Sequence, residues 1–236
     1  MKPSLLPGLT GLRGIGALWV VLYHIQFGIG LPFAEVGYLG VDLFFILSGF
    51  VLSHAHFSIR WCRTTYFEFL QARFARIFPL HWTCLLLTVL IIQFFPEIRA
   101  SMPNKFRWDD LLSSILLVQN WGFGRVVPWN VPSWSLSTEW LMSIAFPLFL
   151  SIERRIPAGL ASFLCAGCLL VFALFLNLTN NPVPDVTLRA GVIRTVCEFA
   201  AGCLLYRFYE SGGQVNRLVK AVAILAFLFG VLLPSW

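Results

Sequence analysis

The sequence predicts an all-α, multi-spanning transmembrane helix bundle of about seven spans, with one short re-entrant or interfacial segment. Three observations lead there. The 236 residues are 58% hydrophobic and only 12% charged, against ~25% charge in an average globular protein. Apolar windows about 20 residues long, enough to cross a hydrocarbon core ~30 Å thick, recur along the chain. Most of the basic residues fall in the stretches between those windows, and nowhere do they form a dense run. This composition excludes intrinsic disorder, collagen-like repeats and small disulfide scaffolds. A soluble chain of this kind would expose more apolar surface than a monomer tolerates.

The windows fall near residues 9–29, 38–56, 77–95, 134–152, 158–177, 189–207 and 217–236. The first is read as a retained helix and not a signal peptide, because Arg13 interrupts it and no small-x-small cleavage site follows. Orientation follows from Lys and Arg, which collect in cytoplasmic loops. With the N terminus cytoplasmic and 111–118 not crossing, ten basic residues lie inside: Lys2, Arg60, Arg63, Arg73, Arg76, Arg154, Arg155, Arg207, Arg217 and Lys220. Six lie outside, namely Arg99, Lys105, Arg107, Arg125, Arg189 and Arg194. A crossing at 111–127 would weaken that bias, so 111–118 is a re-entrant or surface piece and 119–133 an outer loop. The location is a cell (inner) membrane, crossed several times.

The net charge of +6 suits an anionic lipid surface better than nucleic acid, given the scattered basic residues. Cys165 and Cys168 have redox-motif spacing, but small residues at that spacing in an apolar helix serve close packing. His54 and His56 are two apart and define no coordination set, so no metal site is indicated.

A charged side chain near a helix centre costs at least ~2.5 kcal/mol on insertion scales, so each one needs a partner or a role. Arg13 and His24 are eleven residues apart, close to three turns, which places them on one face about 16 Å apart along the axis. Arg13 is either a snorkelling anchor or a cation lining an interior passage. His24 is either a buried imidazole bonded to a carbonyl or a proton acceptor. Asp42, after the glycine-rich 37–40 stretch, is either a helix N-cap or an intramembrane carboxylate. Ser48-Gly49 permits close helix approach or a kink.

Arg73 and Arg76, between the second and third helices, share a face at the cytoplasmic surface. They read as positive-inside anchors or as a guanidinium fork for phosphates. His81 is read as structural. Glu139 has Leu136 three residues before it, so it closes no capping box. It lies more than a turn into an apolar helix, on the membrane side of His24. Glu198 is a weaker case of the same kind.

Taken together, Leu9-Thr-Gly-Leu-Arg13 through His24, Gly40-Val-Asp-Leu-Phe-Phe-Ile-Leu-Ser-Gly-Phe50, Arg73-Phe-Ala-Arg76-Ile-Phe-Pro79 and Trp134-Ser-Leu-Ser-Thr-Glu139 resemble acyltransferase family 3. These are multi-spanning membrane O-acyltransferases. The resemblance covers residues 5–150 by motif and the remaining helices in general character. Family members typically have more spans than this chain, so residues 1–236 resemble one integral membrane domain truncated at its C-terminal end.

The resemblance implies transfer of an acyl group, often acetyl, from cytoplasmic acyl-CoA to a hydroxyl, usually of a surface or exported carbohydrate. Carried over, His24 is the catalytic base, and Asp42 and Glu139 orient it or hold the acceptor. Arg73 and Arg76 meet the CoA phosphates, and Arg13 lines the donor passage. Acyl-CoA is a donor substrate, and no permanently bound cofactor is implied. The alternatives are a proton-coupled transporter, since intramembrane His and carboxylates also mark proton relays, and an inactive truncated family member.

Overall fold

In the computed structural model the described residues are 6–25, 32–102, 105–122, 129–179 and 191–211, and all their regular structure is helical. The long helices are α1 (Pro7–Ile25), α3 (Leu39–His56), α4 (Arg63–Phe94), α7 (Ser133–Glu153), α8 (Ala158–Thr179) and α9 (Gly191–Glu210). Short pieces join them: α2 (Pro32–Glu35), α5 (Pro96–Ser101) and α6 (Leu111–Ile115), the last preceded by a single tight turn at Trp108–Asp110.

Among the described residues, five helices are long and apolar enough to cross a membrane: α1, α3, α4, α7 and the 158–175 part of α8. The expected seven windows are thus matched in part. The sixth forms α9, but Arg194, Glu198, Arg207 and Glu210 lower its apolar character below that of the other five. The seventh, 217–236, lies outside the described residues, as do Lys2, Arg125, Arg189, Arg217 and Lys220.

The third window requires a correction at its start. It opens at 77 in the sequence reading, whereas α4 begins at Arg63 and runs 32 residues, about 48 Å at 1.5 Å per residue. The first turns mix Glu68, Gln71 and arginines with Tyr66, Phe69 and Leu70, so they are amphipathic and an apolar window misses them. Arg73 and Arg76 therefore sit within a helix and not in a loop.

The helix opens on Cys62, whose backbone N–H donates to Thr65 Oγ1 at 2.9 Å, while the Thr65 hydroxyl lies 3.5 Å from Cys62 Sγ. Hydrogen bonds from Thr65, first from its backbone and then from its side chain, hold the exposed Cys62 thiol below its ordinary pKa.

The helices form two units. The first comprises Met1–Ser58, Leu148–Leu178 and Val196–Trp236. There α1 lies on α3 by way of Gly40, where a Cβ would sit 2.6 Å from the Gly16 carbonyl oxygen. The opposite stripe of α1, Ile15, Leu18, Val21 and Ile25, is exposed at near-helical spacing and suits a lipid environment. In the same unit α3 crosses α9 through Gly49 and Gly202, so Ser48-Gly49 serves close approach. Phe50 packs on Tyr206 with ring centroids 5.7 Å apart.

The second unit, Ile59–Pro147 and Thr179–Thr195, sets α4 against the first two-thirds of α7. The Tyr66 hydroxyl donates to the Ile144 carbonyl at 3.0 Å, and Ile77 and Phe78 pack with Leu136 and Trp140. Higher α4 numbers therefore meet lower α7 numbers, and the helices are antiparallel.

The 111–118 segment forms no helix long enough to cross a membrane. Helix α6 is five residues long, and side chains hold the backbone around it. A ring N–H of His81 donates to the Ser114 carbonyl at 2.7 Å, and Trp82 Nε1 donates to Ile115 O at 3.0 Å. Ser137 Oγ donates to Leu117 O at 2.8 Å. Irregular backbone at membrane depth needs this satisfaction by neighbouring protein groups. His81 is buried and structural here.

Candidate active site

Residues singled out from the sequence fall in both units. In the first, α1 carries Arg13, half-buried, and His24, exposed near the helix end. His24 Nδ1 lies 2.7 Å from the Val20 carbonyl oxygen one turn earlier. A carbonyl oxygen only accepts, so Nδ1 carries a proton, and in the neutral tautomer this leaves the lone pair on Nε2. The sequence reading gave the tautomer-fixing task to a carboxylate. The structure gives it to a backbone carbonyl.

Asp42 corrects one alternative. The N-cap of α3 is Tyr38, without a side-chain cap bond, and Asp42 lies four residues further on, in the first turn and half-buried. It is no N-cap, and its charge there complements the positive end of the helix dipole.

In the second unit, Arg73 is buried and forms an ion pair from Nη2 to Glu139 Oε1. Its Nε donates to Ser143 Oγ at 3.1 Å, and the Ser143 hydroxyl donates to the Glu139 carbonyl at 2.9 Å. Sequence reasoning placed Arg73 at the cytoplasmic surface and Glu139 on the far side of the membrane. The antiparallel register of α4 and α7 brings them to one level. A buried charge left without its partner costs 3–5 kcal/mol, which is why the two belong together.

Arg76 shares the motif but not the burial. It is exposed, about 60° around the helix from Arg73. The predicted fork is therefore split between one committed and one open guanidinium. Glu139 itself keeps 27% of its side chain exposed, so the carboxylate is anchored on one side and accessible on another.

Sequence reasoning missed Ser143 and Glu153 and gave Arg194 no partner. Ser143 gave no signal beyond its position one turn after Glu139. Glu153 is buried and accepts from Ser53 Oγ at 2.7 Å; in the sequence it merges with the charged run at 153–155. Arg194 is buried in the second unit, its guanidinium 5.5 Å from the Trp134 ring centre. Among the described residues no three His, Cys, Asp or Glu side chains gather as metal ligands.

Comparison with known proteins fits this arrangement to a family. An acyltransferase-domain family matches residues 6–236. Acyltransferase MdmB of Streptomyces mycarofaciens is 37% identical over 174 residues, covering 69% of this chain and 43% of its own length. O-acetyltransferase OatA of Staphylococcus aureus is 30% identical over 98% of this chain and 39% of its own. Peptidoglycan O-acetyltransferase OatA of Listeria monocytogenes is 26% identical over 96% of this chain and 38% of its own. The chain thus spans about two-fifths of the length of these relatives. No solved structure matches it. With a match running from residue 6 to residue 236, and with the four motifs in place on α1, α3, α4 and α7, the chain belongs to acyltransferase family 3.

Proposed function

We propose that this protein is a membrane O-acyltransferase, transferring an acyl group, acetyl in the simplest case, from cytoplasmic acyl-CoA to a hydroxyl of a surface or exported carbohydrate. Family membership supports acyl transfer and stands against a proton-coupled transporter. One relative is a peptidoglycan O-acetyltransferase by name, which supports a carbohydrate acceptor. The observation that carries the reading is the hydrogen bond of the His24 ring: Nδ1–H is bonded to Val20 O, which in the neutral tautomer leaves Nε2 to take a proton.

In the reaction the acceptor oxygen attacks the thioester carbonyl while Nε2 removes the hydroxyl proton. The carbon–sulfur bond breaks, the acyl ester forms, and the proton passes to the departing sulfur to give free CoA. The Val20 carbonyl stabilises the imidazolium through Nδ1–H, as a carboxylate does in other acyl-transfer sites. Asp42 and Glu139 hold the acceptor or the base. Arg13 and the exposed Arg76 are the cations read toward the donor, where guanidinium groups suit phosphate oxygens.

The test uses membranes containing the protein and radiolabelled acetyl-CoA. Label should move to a carbohydrate fraction as a hydroxylamine-labile ester. Label that stays on CoA in the presence of cell-envelope glycans would sink the acyl-transfer reading.

The proposed orientation, N terminus cytoplasmic, has its own test in Cys62. Of the six cysteines only this one is exposed, and the orientation places it inside. A membrane-impermeant maleimide should label it in inverted vesicles and not in right-side-out ones. Because Thr65 lowers its pKa, thiolate persists to lower pH. The labelling rate should therefore fall, on acidification, at a lower pH than for the same cysteine in the unfolded chain. Labelling from the outside would reverse the topology.

A further inference from the structure

We propose that the two arginines of the Arg73–Arg76 motif have separate tasks: Arg73, held by Glu139 and Ser143, positions the Glu139 carboxylate, and Arg76 alone meets the donor's phosphates. The donor half of this proposal rests on the acyl-CoA reading above; the Arg73 half does not.

The geometry separates them. Two of the three guanidinium nitrogens of Arg73 are engaged, Nη2 by Glu139 Oε1 and Nε by Ser143 Oγ at 3.1 Å. The side chain is 8% exposed. A phosphate approaching it meets a pair with no net charge. To bind as a fork, Arg73 would have to abandon a carboxylate in a poorly solvated place, and that carboxylate would then repel the phosphate. Arg76 has no such commitment: it is exposed, and its planar donors are open to an anion.

Arg73 has a task that a phosphate anchor would not need. It fixes one oxygen of Glu139, and Ser143 fixes both Arg73 and the Glu139 backbone carbonyl. The second carboxylate oxygen is thereby presented at a set orientation, available to a hydroxyl. Positioning to within about an ångström governs rates by up to ~100-fold, so loss of Arg73 should act on turnover.

The experiment uses the protein in nanodiscs with two readouts: equilibrium binding of radiolabelled acetyl-CoA, and acceptor-free hydrolysis of acetyl-CoA followed as thiol release. Arg76→Ala should weaken acetyl-CoA binding about tenfold or more, the value of a charge-assisted contact, and flatten its salt dependence. The double variant Arg73→Gln/Glu139→Gln removes the pair without leaving a lone charge. It should bind acetyl-CoA within about twofold of wild type while thiol release falls ~10- to 100-fold. Ser143→Ala should lower release by a smaller factor and leave binding unmoved, and Arg73→Lys should recover part of the lost turnover.

Binding weakened as much in the Arg73→Gln/Glu139→Gln variant as in Arg76→Ala overturns the division. A ligand-free measurement separates this from failure of the acyl-CoA reading. Thermal unfolding of Arg73→Met, Glu139→Met and the double change should show strong coupling, the double variant being more stable than either single one. Additive losses overturn the Arg73 assignment. A wild type that binds no acetyl-CoA overturns the donor reading and the Arg76 half, and leaves the coupling result to decide Arg73.

Discussion

Replacing His24 with alanine should lower acyl transfer by ~10²- to 10⁴-fold, the usual contribution of a general base, with the protein still inserted and folded. The physical basis is that His24 contributes little to packing. It is exposed near the end of α1, its one hydrogen bond runs to its own helix at Val20, and its ring contact is an edge-on approach of Tyr23 at 5.2 Å. Alanine removes both nitrogens and leaves no buried partner unsatisfied, because the Val20 carbonyl already belongs to the helix ladder. Activity and stability should therefore separate cleanly in this variant, unlike in the buried ion-pair variants. The check is transfer of radiolabel from acetyl-CoA in membranes, beside the thermal unfolding midpoint of the same preparation. Transfer close to wild type would remove His24 from the base role. A large fall in the midpoint would make its role structural.

The sequence makes this residue visible because a histidine in an apolar helix has few reasons to be there. Helix limits are legible where composition changes sharply: 38–56 against Leu39–His56, and 134–152 against Ser133–Glu153. They are not legible where a helix starts amphipathic, as α4 does. Nor does apolarity reveal that α9 buries Arg194 and Glu198, since buried charges look like surface charges until a neighbour is supplied.

The site divides along the same line. Residue type and burial depth along one helix point to Arg73 and Glu139 separately. Their pairing depends on the antiparallel register of α4 and α7, a relation between residues 66 apart in sequence. Ser143 becomes visible only once that register is known.

The largest structural effect should come from the crossing of α3 and α9. A Cβ on Gly202 would sit 2.0 Å from the Ile46 carbonyl oxygen, and one on Gly49 would sit 2.2 Å from Phe199 O. Both obstacles are backbone atoms inside helices, which cannot swing aside as a side-chain tip can. The axes must separate, and with them Phe50 and Tyr206, at a ring distance of 5.7 Å, lose contact. Overpacking typically costs 1–3 kcal/mol and sometimes more. Gly202→Val should exceed ~3 kcal/mol, because two extra methyl groups follow the first carbon into the same space.

Gly167 supplies the control. It lies within α8, and a Cβ there would meet nothing within 4 Å. Gly167→Ala should raise stability by up to ~1 kcal/mol, since glycine in a helix interior is the more costly residue. The two substitutions add carbon to glycine in apolar helices and should move the thermal midpoint in opposite directions. That contrast is measurable by fluorescence-detected size exclusion after graded heating. Equal shifts would show that α3 and α9 do not meet through their glycines.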